Sequence, residues 1–154
     1  MDIGDLISRE AVIPSLKAKT KKQALLDLSQ RAAELTGLTA QGIFEALLQR
    51  ERLGSTGIGR GIAIPHCRLP AITRIVGLCA RLPVAIDFKA QDGEPVDLIF
   101  LLLAPEAAGA DHLKALARIS RLMREPLIVE KLRRSNDKAA LYSILTEPAS
   151  SHAA

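Results

Sequence analysis

The sequence predicts an α/β fold, a three-layer sandwich in which helices cover both faces of a central sheet, on three observations. Helical periodicity occupies both ends of the chain and strand-like runs occupy its middle. Residues 97–104 (DLIFLLLA) are apolar at every position after the aspartate, as a strand covered on two faces must be. With 154 residues, 48% of them hydrophobic and only 3% aromatic, the chain suits one core of Leu, Ile, Val and Ala. We expect a single domain over residues 1–147 and a flexible tail over 148–154.

The elements follow in order. Thr20-Lys21-Lys22-Gln23 has capping-box spacing, Leu25, Leu28, Ala32 and Leu35 recur at helical intervals, and Gly37 supplies a stop. A second helix begins near Thr39, carries Ile43, Phe44, Leu47 and Leu48 on one side, and reaches about Arg52. From Gly54 the text GSTGIGRGIAIPH holds four glycines in eight residues, then an apolar run closed by Pro65, which cannot donate into a ladder. It reads as a flexible loop followed by a short strand that ends at His66. Residues 75–82 and 97–104 supply further strands. After Pro105 helical spacing returns, with Leu113, Leu116, Ile119, Ser120 and Met123 on one side and Lys114, Arg118, Arg121 and Arg124 on the other. Helices over 126–134 and 137–145 close the fold.

Charge and composition exclude several classes. No run approaches the roughly 20 apolar residues of a membrane span, and the acidic start MDIGDLISRE lacks a signal peptide's basic and apolar regions. Cys67 and Cys79 form neither a C-x-x-C pair nor a disulfide framework, so a cytoplasmic location with free thiols is expected. The net charge of +4 and pI near 9.3 raise a nucleic-acid-binding module as a remote alternative. The excess is local, however. Residues 50–81 hold six arginines against one acid, around His66, which fits an anion handled at one place better than a duplex tracked along its length.

Three histidines compete for a chemical role. His152 lies in the polar tail. His112 falls within the apolar stripe of its helix, where a satisfied core histidine is the ordinary reading, yet it stands just after a loop. His66 follows a proline and a glycine-rich approach, and spacing alone leaves it either a structural strand-end residue or a nucleophile. Gly57-Ile58-Gly59-Arg60-Gly61 is not a P-loop or a dinucleotide fingerprint, no paired-ligand spacing indicates a metal, and no G-x-S-x-G elbow is present. Neither metal nor cofactor is expected.

GSTGIGRGIAIPH, together with LLQRERLGSTGIG, PVDLIFLLLAP and HLKALARISRLM in that order, resembles the type-2 enzyme IIA domains of the bacterial phosphotransferase system, most of all their nitrogen-regulatory branch. The likeness extends over nearly the whole chain. It implies a mixed sheet of about five strands between helices. It also implies that His66 accepts a phosphoryl group from an HPr-like carrier (NPr), with His112 beside it and Arg50 assisting. Regulated targets in that branch include potassium transport and sensor-kinase proteins, and a free-standing enzyme IIA for fructose- or mannitol-type transport is the alternative. Loop amides and side chains at Ser55, Thr56, Gly57, Gly59, Arg60 and Gly61 are further phosphate-binding candidates. Periodicity does not single out Arg50, because Glu51 falls nearer the centre of the apolar stripe, so Arg52 and Arg60 compete with it. Cys67 stands where many relatives have glycine. It is expected either to narrow the carrier's approach or to point into the core, and an oxidation-sensitive site is the hypothesis it raises.

Overall fold

The computed structural model describes residues 2–147. The expected tail at 148–154, His152 included, lies outside the described residues. A first turn of helix, α1 (Ile3–Leu6), and a 3-10 turn at Arg9–Ala11 lead into β1 (Val12–Ile13), which the sequence reading omitted. Two residues are too few for a periodicity. They form a strand because Val12 and Ile13 pair in parallel with Cys79 and Ala80 of β5 (Val76–Ile86).

Helix α2 (Lys21–Thr36) starts where the Thr20 hydroxyl accepts from the Gln23 amide and ends on Gly37 in the left-handed region, φ 78°. Helix α3 (Ala40–Arg52) starts on the Thr39 hydroxyl, packs along α2, and lies over β4 (His66–Leu69). Antiparallel to β5 runs β6 (Val96–Pro105), fully buried from Leu98 to Ala104. The sheet order is β1-β5-β6-β3-β2, with β2 at Gly57–Gly59 and β3 at Ile62–Ala63, while β4 continues along β6 beyond β3. The sheet is therefore mixed and six-stranded, against about five expected. Helices α4 (Ala110–Leu122), α5 (Pro126–Arg134) and α6 (Lys138–Thr146) follow, close to their sequence bounds. Among the described residues no helix is long and apolar enough to cross a membrane.

Three expectations are corrected. The glycine-rich segment is a hairpin, not a flexible loop: Gly59 opposes Ile62, and Arg60 and Gly61, at φ 58° and 81°, make the two-residue turn between them. Two consecutive positive φ values give the mirror-image turn that matches strand twist. His66 begins a strand and does not end one. Pro65 interrupts the amide ladder, but its carbonyl accepts from Leu102, so the chain stays on β6 and resumes pairing with His66 opposite Leu102. In α4 the inward stripe is His112, Ala115, Ile119 and Leu122, a rotation that leaves Leu113 64% exposed.

Candidate active site

His66 and Arg68 share one face of β4, with Cys67 and Leu69 on the other, because side chains alternate along a strand. Cys67 and Leu69 enter the core; His66 is half-buried and Arg68 exposed. Burial pushes the Cys67 thiol up to about 12, which removes the thiolate that oxidants attack. The alternative of a thiol at the carrier's approach is thus replaced by a core side chain.

Arg50 comes from the last turn of α3. Its Nη1 donates to the Gly54 carbonyl at 2.9 Å, closing the helix end, and this fork turns Nε toward His66, where it donates to Nε2 at 3.3 Å. A guanidinium only donates, so Nε2 holds a lone pair. The ring's single proton is then on Nδ1, which donates to the Ile64 carbonyl at 2.9 Å. Burial, with the Arg50 charge as a lesser cause, holds His66 below its ordinary 6.5 despite the opposing pull of the Ile64 carbonyl and Glu51. The result is a neutral imidazole whose Nε2 is unprotonated.

His112, in the first turn of α4, puts its ring centroid 5.7 Å from that of His66 at an interplanar angle of 67°. Its Nδ1 accepts from Arg68 Nε at 3.0 Å, so its proton resides on Nε2. That Nε2 is buried without a hydrogen-bond partner among the described residues. Burial first, then the repulsion that a protonated His112 would meet from a protonated His66 and from Arg68, lower its pKa. The two rings are thus opposite tautomers, each dictated by an arginine.

Behind Arg50, the Glu51 carboxylate is 5% exposed and meets Lys21 Nζ at 2.9 Å, the Thr56 amide at 3.0 Å and the Thr56 hydroxyl at 2.6 Å. This explains an acid on the apolar stripe: it turns inward to anchor the segment after α3. Ser55 joins the same frame, its hydroxyl donating to the Phe88 carbonyl and accepting from the Gly57 amide. Ser55, Thr56 and Gly57 therefore brace the segment between Arg50 and the sheet, where the sequence suggested phosphate donors.

Gly59, Arg60 and Gly61 are not brought to His66. Their turn sits at the start of β6, where Ile62 opposes Leu98, whereas His66 opposes Leu102 four residues along, about 13 Å at strand rise. Asp92 accepts from the Arg60 amide, and Arg133, paired with Asp97, donates to the Arg60 carbonyl. Arg52 is exposed. Of the three arginines weighed, Arg50 is the one that reaches His66. Arg68, which holds His112 from 44 positions away, carried no sequence signal beyond its place two residues after His66.

The chain matches over residues 5–147 the family described as "Phosphoenolpyruvate-dependent sugar phosphotransferase system, EIIA 2". It is 59% identical over 148 residues to a nitrogen regulatory protein of Bradyrhizobium diazoefficiens, covering 96% of this chain and 97% of the relative. A fructose-specific EIIA component of Haloferax volcanii is 35% identical over 149 residues, covering 95% and 96%. The crystal structure of the nitrogen regulatory protein IIA-Ntr of Neisseria meningitidis superposes with TM-score 0.89 at 33% identity, covering 94% of this chain and 99% of that one. On this match, its sheet of mixed direction and its likeness to nitrogen regulatory proteins, the chain belongs to the type-2 EIIA family of the phosphotransferase system.

Proposed function

We propose that the chain is a cytoplasmic phosphoryl carrier of the nitrogen-regulatory branch, in which His66 Nε2 accepts a phosphoryl group from the phosphohistidine of an HPr-like carrier (NPr). Its phosphorylation state then selects regulated partners of the potassium-transport or sensor-kinase kind. The observation that carries this reading is the hydrogen bond from Arg50 Nε to His66 Nε2, which keeps the attacking lone pair unprotonated beside a fixed cation.

In the transfer, the Nε2 lone pair forms an N–P bond as the donor's N–P bond breaks, and that bonding pair returns to the donor imidazole. The His66 proton stays on Nδ1, so the ring becomes cationic and its bond to the Ile64 carbonyl strengthens. Arg50 loses its acceptor when Nε2 bonds phosphorus, and its guanidinium turns to the phosphoryl oxygens. The Nε2–H of His112, unpartnered among the described residues, is a second donor for charge that develops on those oxygens.

The greater identity to a nitrogen regulatory protein than to a fructose-specific component favours the regulatory branch over sugar transport. Phosphoenolpyruvate, enzyme I and purified carrier supply the test. The wild type becomes phosphorylated and His66→Ala does not; phosphate on the variant would sink the reading. Nitrogen-branch and sugar-branch carriers run side by side separate the two branches by rate.

A further inference from the structure

The geometry points to Arg68 as a positioning residue: by donating from Nε to His112 Nδ1 at 3.0 Å, it holds His112 in the tautomer that carries its proton on the buried Nε2. This rests on the phosphoryl-carrier reading, because the purpose of that tautomer is to offer an N–H to a phosphoryl oxygen on His66.

A neutral imidazole offers one donor and one acceptor, and the partner of one nitrogen decides which is which. With its proton on Nδ1, His112 would present a lone pair to an anion, and the second donor of the site would become a repulsive group. A guanidinium has no acceptor, so Arg68 can satisfy only the Nδ1 lone pair and leaves the proton at Nε2. Among the described residues nothing else meets that proton, although buried polar atoms are ordinarily satisfied. The orphan donor is explained if its acceptor arrives with the phosphoryl group. Arg68 is well placed for the task, since it leaves the same face of β4 as His66, two residues on. It is exposed, so its removal spares the core.

Nitrogen-15 NMR of the histidine rings in the unphosphorylated protein reads the tautomer without any transfer reaction. Wild-type His112 is expected to show a protonated Nε2 and an unprotonated Nδ1. Arg68→Met is expected to bring averaged, mixed-tautomer shifts at His112 with His66 unchanged, and to lower the maximal rate of phosphoryl transfer about tenfold with little change in KM for the carrier. Arg68→Lys, which keeps a donor, should recover most of both. An unaltered His112 tautomer in Arg68→Met would overturn the proposal, as would a defect confined to KM, which would assign Arg68 to carrier docking. If wild type accepts no phosphate at all, the carrier reading fails, while the NMR result still judges the link between Arg68 and His112.

Discussion

Arg50 Nε lies 3.3 Å from His66 Nε2, so the nitrogen that would attack phosphorus is kept free of a proton by a permanent cation. Arg50→Ala removes that hold and the donor proposed for the phosphoryl oxygens, and should slow transfer by about 10²–10³-fold. Arg50→Lys should recover little, because a lysine ammonium lacks the fixed planar fork whose Nε and Nη1 span His66 and the Gly54 carbonyl. An NMR titration of the alanine variant should also show His66 protonating at higher pH than in wild type, since one cause of its lowered pKa is gone. Single-turnover phosphorylation with the HPr-like carrier checks the rate.

His112→Ala should fold and transfer more slowly, by about tenfold to a hundredfold. His112→Gln keeps an N–H donor of similar reach and is expected to be the faster of the two. Equal rates for the two variants would place the contribution of His112 in packing alone.

Both site histidines have pKa values below the ordinary 6.5, with burial the first cause. Between those lowered values and 6.5 the unfolded chain binds more protons than the folded one, so stability rises with pH there. The contribution is fully present above 6.5 and is lost as pH falls through that value to the folded ones. Urea midpoints from about pH 7.5 down to about pH 5 should decline, and the decline should be shallower in His66→Gln/His112→Gln.

Glu51→Ala leaves Lys21 and two Thr56 donors without their shared acceptor at a buried position. A loss of about 2–4 kcal/mol in unfolding free energy is expected by chemical denaturation. Because the same carboxylate anchors the segment after Arg50, transfer should slow as well.

Cys67 and Cys79 are buried, and both thiols are raised to about 12. Neither should react with iodoacetamide in the native protein at about pH 8, and both should react in denaturant. Mass spectrometry after peroxide treatment should find native Cys67 unmodified and phosphoryl acceptance intact.

Much of the fold was legible because its signals are local. Thr20, Gly37, Thr39 and Asp137 mark helix ends through chemistry at the cap itself, and the apolar run before Pro105 marks a strand covered on both faces. What escaped depends on distant partners. Val12 and Ile13 are a strand only because Cys79 and Ala80 lie beside them, and β4 hides behind Pro65, whose carbonyl holds the register that its missing N–H suggests is lost. Within the site, His66 stood out by its surroundings, and Arg50 by resemblance. The pairing of Arg68 with His112 spans 44 residues, and the partner of His66 Nδ1 is a main-chain oxygen, which leaves no trace in residue identity.

That main-chain oxygen has a thermodynamic consequence. In a relay the phosphoryl group exchanges reversibly, and the carrier that better accommodates a positively charged ring holds it longer. On the proposed reading, the Ile64 carbonyl, 2.9 Å from His66 Nδ1, would act on a phosphorylated ring more than on the free one and so would shift the exchange equilibrium toward this chain. No side-chain substitution deletes a carbonyl. If His66 is the acceptor proposed above, its resting occupancy depends in part on the backbone path through Ile64 and Pro65, and replacing Pro65 is expected to alter that occupancy without removing a side chain proposed to touch phosphate.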